Sequence, residues 1–275
     1  MSTVLVTGAS GYIGQALATA LAPRHRVIAL SRRGLTLPDV TCVRGDFAAF
    51  EDLRALDAYE IDAVVHLGAV TGGCFERDGL LVNVEGTRCL LRYLTDRGCR
   101  KVVCASSIAA VGMQSKLFRP LTLPVPDEHP CLDRDGYGLS KYLMEEVTRY
   151  VQRQHPDLDV INLRLSVVPH GGVSAPAGLR PLGQWALGSV TIMTLADGLR
   201  AFTLAVESSA RPGVRILNAA GPRLWASVPT AELLAHWYGD EVDASWYRQS
   251  GHEHDGVYDV RAIERELGFV AQDLP

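Results

Sequence analysis

The 275-residue sequence lacks any long apolar run. Crossing a bilayer as a helix takes about 20 consecutive apolar residues, so no membrane partner is expected. It also lacks a block of like charge. With 27 basic and 31 acidic residues and a formal net charge of −4, it shows no basic patch of the kind that marks a nucleic-acid binder. Cys42, Cys74, Cys89, Cys99, Cys104 and Cys131 form no Cys-x-x-Cys pair. That speaks against a zinc site, and no metal is expected. It favours free thiols in a reducing cytoplasm. Val4-Leu5-Val6 runs straight into a glycine loop, with no basic stretch and long apolar segment before it, so no secretory signal is expected. Internal repeats and low-complexity tracts are also missing.

What is present is a globular composition, 47% hydrophobic and 21% charged, sufficient for a sizeable core. Short apolar runs at Thr3–Thr7, Arg26–Leu30, Val40–Val43, Ala63–His66, Lys101–Ala105 and Asp159–Leu163 read as buried parallel strands. Helical spacing fills Tyr12–Leu21, Asp78–Arg97 and Gly138–Gln154. This alternation predicts an α/β fold with a doubly wound parallel sheet. After about Arg164 the pattern changes. Pro169 to Gly188 is rich in Gly and Pro and reads as loop. Leu195–Glu207, Thr230–Tyr238 and Val260–Leu267 read as helices and Arg215–Leu217 as a strand.

Thr7-Gly8-Ala9-Ser10-Gly11-Tyr12-Ile13-Gly14 sits between the first strand and the first helix. Gly8 suits a tight turn, Gly11 a close approach to a pyrophosphate, and Gly14 close helix-to-strand packing. The helix N-terminus adds unpaired N–H groups and a favourable dipole for phosphates. The chain is therefore expected to divide into a dinucleotide-binding domain, residues 1–165, and a small mixed α/β substrate-binding lobe, residues 166–275, interleaved with it. An acidic residue ending the second strand would bind the adenosine ribose hydroxyls. The sequence has Ser31-Arg32-Arg33 there, which suits a 2′-phosphate because guanidinium forks match phosphate oxygens. NADP is the favoured cofactor and NAD the alternative. Asp46 and Phe47, after the third strand, are placed to meet the adenine.

Tyr137-Gly138-Leu139-Ser140-Lys141 puts a phenol and an ammonium on one helix face. Tyr has an ordinary pKa near 10, and a nearby positive charge would favour its phenolate. Ser107, beside the Lys101–Ala105 strand, can hold a substrate oxygen by hydrogen bonding.

Taken in order, these motifs resemble the short-chain dehydrogenase/reductase superfamily, in its extended epimerase/dehydratase-like branch. Thr7 to Gly14 matches the TGxxGxxG loop. His66-Leu67-Gly68-Ala69 is similar to the fourth-strand motif, and Asn83-Val84-Glu85-Gly86-Thr87 to the N-x-x-G-T segment. Ser106 to Gly112 resembles the serine strand end, and Tyr137 with Lys141 the Y-x-x-x-K pair. The resemblance implies a Rossmann fold and a homodimer. It also implies hydride transfer between a nicotinamide and a small hydroxyl or carbonyl substrate. Ser107, Tyr137 and Lys141 would be catalytic, with Tyr137 moving the proton. Gly8, Ser10, Gly11, Tyr12, Ile13, Gly14, Ser31, Arg32, Arg33, Asp46, Phe47, Leu67, Gly68, Ala69, Asn83, Tyr137 and Lys141 would hold the cofactor. Thr71, Ser107, Tyr137 and His170 would meet the substrate.

The late part departs from nucleotide-sugar members of that branch. The arginine expected shortly before Asp197 is missing from Gly188–Ala196, and the usual N-V-Y-G-P reads Val167-Val168-Pro169-His170-Gly171 after Ser166. A compact substrate, such as a sugar or sugar acid, is expected. The closing Tyr258-Asp259-Val260…Leu267-Gly268-Phe269 resembles small members such as uronate dehydrogenases. The alternative is an epimerase or dehydratase that retains its nicotinamide. Trp185 and Trp225 are read as lining the pocket or packing the lobe, and His252-Glu253-His254-Asp255 as a surface loop.

Overall fold

A computed structural model describes residues 1–171, 178–179 and 186–272. Seven parallel strands form one sheet: β1 (Thr3–Thr7), β2 (Arg26–Ser31), β3 (Val40–Arg44), β4 (Ala63–His66), β5 (Lys101–Ser107), β6 (Asp159–Leu165) and β7 (Gly213–Ala219). The order is β3-β2-β1-β4-β5-β6-β7. Strand order therefore reverses beside β1, and a crevice opens at the carboxyl ends of β1 and β4, where open α/β sheets take their ligands.

Both faces of the sheet are covered, which explains the near-continuous apolar strands. Successive residues point to opposite faces. Val4, Val6, Val27, Ala29 and Val65 pack with Leu17 and Leu21 of α1 (Tyr12–Leu21) and Phe202 and Ala205 of α6 (Leu195–Glu207). Leu5, Ile28, Leu30 and Val64 pack on the other side. There they meet Leu90 and Leu91 of α4 (Thr87–Thr95) and Met144 of α5 (Gly136–Gln154). Two short helices, α2 (Phe50–Leu53) and α3 (Glu76–Asp78), lie between β3 and α4.

Within residues 166–275, β7 continues the sheet beside β6 in parallel register. The helix α8 (Arg261–Leu267) contributes Ile263 and Leu267 to the core shared with α1. A third cluster lies outside the sheet. It joins Leu233, Leu234 and Trp237 of α7 (Thr230–Tyr238) to Ile108, Met113 and Phe118 from the segment after β5.

The largest departure from the sequence pattern is the Asp78–Arg97 helix. It is not one α-helix: Gly79–Gly86 is π-helical and α4 ends at Thr95. Asn83 lies inside the widened stretch, where its side chain leaves the helix to hold a neighbouring loop. Such widened turns recur at functional sites. Several strands also run one or two residues further than apolarity suggests. Ser106 and Ser107 pair with Arg164 and Leu165, so the serines carry polar side chains to the carboxyl edge of β5.

Candidate active site

The carboxyl edge of the sheet holds one continuous cavity of about 800 Å³. Its first wall is the glycine loop. Gly8 has φ +67°, and a Cβ there would sit 2.6 Å from the Gly68 amide nitrogen. A Cβ on Gly14 would be driven into the Gly8 carbonyl oxygen. The Gly11 N–H donates to Gly8 O at 2.9 Å, closing the turn. Gly11 caps α1 without a side-chain hydrogen bond, so the amides of the first turn stay available for an acceptor. A bare backbone cradle at a helix N-terminus fits a pyrophosphate, and the loop therefore fits a dinucleotide.

Gly8, Ser10, Gly11, Tyr12, Ile13, Gly14, Ser31, Arg32, Phe47, Leu67, Gly68 and Ala69 all line the cavity. Arg33 and Asp46 are not among its lining residues. The Asp46 carboxylate accepts the Ala48 N–H at 2.9 Å and stands 3.9 Å from Arg32 Nη1. It shapes the turn around Phe47.

The second wall carries the acid–base candidates. Asp135 caps α5 by accepting the N–H groups of Tyr137 and Gly138, both at 2.9 Å. This fixes the first turn, and Tyr137 and Lys141 follow one turn apart. Ser107 ends β5. Its Oγ accepts the Ala109 N–H at 3.1 Å, and its side chain hydrogen-bonds Tyr137. Lys141 Nζ donates to the Ala105 carbonyl at 2.8 Å and lies 5.8 Å from the Tyr137 ring centre.

Burial governs the electrostatics of this pair. Burial raises the Tyr137 phenol above its ordinary value, and the Ser107 hydrogen bond opposes this only in part. Burial also lowers Lys141, to about 8. Tyr137 therefore holds its proton at neutral pH and can donate it.

Asn83 is not a wall of the cavity. Its carboxamide clips the loop after β4, accepting the Val70 N–H at 2.9 Å and donating to Val70 O at 3.0 Å. It also donates to Ser140 Oγ at 2.9 Å, and that hydroxyl donates to Tyr137 O at 2.7 Å.

Behind the loop lies a buried chain that the sequence reading missed. Thr87 Oγ1 donates to Asn83 O at 2.6 Å and is 2.9 Å from His66 Nε2. Its proton is committed, so His66 Nε2 is the donor to it. His66 Nδ1 must then accept from Thr7 Oγ1, 2.7 Å away, while that oxygen accepts the Gly68 N–H at 3.3 Å. The only sequence trace is a His at the end of an apolar strand, with Thr87 four residues after Asn83.

At the far end, Thr71 and His170 line the cavity. The His170 ring stacks on Tyr12 with centroids 3.9 Å apart. Gln114, Ser166 and Ser189 join them, and the sequence did not single these out for substrate. Trp185 lies outside the described residues. Trp225 is not among the lining residues; its backbone N–H donates to Val190 O at 2.8 Å. In the His252–Asp255 loop, His252 Nδ1 contacts Asp255 Oδ2 at 2.6 Å.

A doubly wound sheet with a glycine cradle at its switch point defines a dinucleotide-binding α/β protein. Residues 4–169 match the model of the NAD dependent epimerase/dehydratase family, and the chain belongs to that family. UDP-glucose 4-epimerase 2 of Oryza sativa subsp. japonica is 32% identical over 237 residues, 78% of this chain and 54% of the relative. The chain spans about half the length of the curated relatives it matches. Uronate dehydrogenase from Agrobacterium tumefaciens aligns with TM-score 0.72 and 19% identity, over 99% of this chain and 85% of that one. MoeE5 in complex with UDP-glucose and NAD aligns with TM-score 0.71 and 24% identity, over 99% and 94%. Both share the fold.

Proposed function

We propose that this chain is an NAD(P)-dependent oxidoreductase acting on a compact hydroxyl or carbonyl compound of the sugar or sugar-acid class. One observation carries the reading: the glycine cradle and the Ser107–Tyr137–Lys141 group open into the same cavity. When bound, the nicotinamide supplies the hydride donor or acceptor. Gly8, Gly11 and Gly14 let the backbone reach the phosphates. Ser107 orients the substrate oxygen, and Tyr137 delivers or removes its proton. Lys141 holds its ammonium close to Tyr137. NADP is the favoured cofactor, supported by Ser31 and Arg32 on the cavity wall.

The test combines purified protein, each nicotinamide, and a panel of aldoses, uronic acids and their oxidised forms. Reduced-nicotinamide absorbance reports turnover. Tyr137→Phe should lose at least about a hundredfold in kcat, the lower range for acid–base groups, while cofactor binding persists. A Tyr137→Phe protein as active as wild type removes the assignment. Arg32→Ala should weaken NADP more than NAD; equal effects remove the NADP preference.

A second reading is an epimerase that keeps and recycles its nicotinamide, favoured by the 32% identity to a UDP-glucose 4-epimerase. It predicts product from a UDP-sugar with no net change in nicotinamide absorbance.

A further inference from the structure

Glu145 lies on α5 one turn beyond Lys141 and is 1% exposed. Its Oε1 accepts from Ser106 Oγ at 2.6 Å and from Arg164 Nε at 2.8 Å, and its Oε2 from Arg164 Nη2 at 2.8 Å. Arg164 is 4% exposed and sits across the ladder from Ser106. Its remaining nitrogen, Nη1, donates to Asp127 O at 2.7 Å. A buried ion pair with every partner in place is poor evidence for stability, because apolar replacements of similar volume often do as well. Its position suggests another use. Ser106 stands between Ala105, whose carbonyl takes Lys141 Nζ, and Ser107, whose side chain meets Tyr137. The pair therefore holds Ser106, the residue between the two that Lys141 and Tyr137 touch.

We propose that Glu145 and Arg164 are positioning residues that lock α5 to the ends of β5 and β6, with the Glu145 carboxylate serving as counter-charge to the buried Lys141 ammonium. The inference rests on the reading of Lys141 as a site residue. Burial pulls Lys141 down, and Cys104 from β5, Glu145 from its own helix and Cys74 from the loop before α3 oppose it. Burial pushes the Cys104 thiol up to about 12 and raises that of Cys74. Both are uncharged at neutral pH. His66 on β4 also feels Lys141, and burial holds it neutral. Glu145 is thus the one full negative charge in that set. The pair itself is faced by Asp127, His129 and Cys131 from the segment before α5, and by Tyr258 near the third cluster.

The sequence contains three lysines, Lys101, Lys116 and Lys141, so NMR of ε-13C-lysine-labelled protein resolves the question without substrate or cofactor. Lys141→Met assigns the signal. The wild-type Lys141 midpoint is expected at about 8. Glu145→Gln keeps the shape and removes the charge, and should lower the midpoint by about one pH unit. Arg164→Met frees the carboxylate for Lys141 and should move the midpoint the other way. Each variant decides alone, so one that fails to fold leaves the other. A midpoint equal to wild type in a folded variant, or both moving in one direction, overturns the proposal. Because the signal needs no turnover, loss of the oxidoreductase reading would leave this result standing.

Discussion

Replacing His66 isolates one pH-dependent part of the stability. Burial, with the Lys141 ammonium adding to it, drives the imidazole from 6.5 to about 3. In the neutral ring Nδ1 accepts from Thr7 and Nε2 donates to Thr87, so a second ring proton would turn the Thr7 hydroxyl proton away from its acceptor. The unfolded chain takes up that proton below 6.5. Between 6.5 and about 3 the unfolded state therefore holds more protons than the folded one, and stability falls as pH falls. The slope is about 1.4 kcal/mol per pH unit, so descending to pH 5 removes about 2 kcal/mol of the His66 contribution. Burial raises Asp127 and Asp133 to about 6, and these neutral carboxyls favour the folded state in the same window. The informative comparison is thus wild type against His66→Gln, whose amide does not titrate. Urea unfolding at pH 7 and pH 5 should show the wild type losing about 2 kcal/mol more than the variant. At pH 7 the variant should itself be weaker by about 1–3 kcal/mol, because the Thr7 hydroxyl loses its acceptor. Equal pH dependence in the two proteins would refute the buried neutral imidazole.

Three further outcomes follow from the geometry. Gly8→Ala places a side chain at φ +67° against the Leu67–Gly68 backbone. It should cost about 1–3 kcal/mol in thermal denaturation and abolish nicotinamide binding followed by fluorescence titration. Asp135→Ala removes the cap over the Tyr137 and Gly138 amides; a loss of about 1 kcal/mol should accompany faster hydrogen exchange at those two positions. Phe202→Ala empties a fully buried site in the core shared with α1. It should cost about 3–5 kcal/mol in chemical denaturation.

The sheet was legible because both of its faces are buried. Val4 and Val6 serve one core and Leu5 the other, so the strand has to read as an unbroken apolar run. The π-helical Gly79–Gly86 was not legible, since its apolar residues keep a spacing compatible with an ordinary helix. What widens it is tertiary: Asn83 reaches out to Val70 and Ser140. The same bonds hold Asn83 against the loop after β4. His66 was legible as part of a motif but not as a hydrogen-bond relay, because its donor and acceptor roles depend on Thr7 and Thr87, remote in sequence.

The two ends of the cavity differ in legibility for a physical reason. The cofactor end is built by backbone, and at Gly8 and Gly14 any side chain would strike the chain itself; such a constraint must appear in the sequence. The other end is assembled from Thr71 after β4, Gln114 after β5, Ser166 after β6, and Ser189 further on. No spacing links these four, and each comes from a different segment of the chain. Under the proposed function, selectivity for substrate would be set there, apart from the cradle and the Tyr137–Lys141 turn. For the same reason, family membership defines the cofactor side of this protein more sharply than the substrate of the proposed activity.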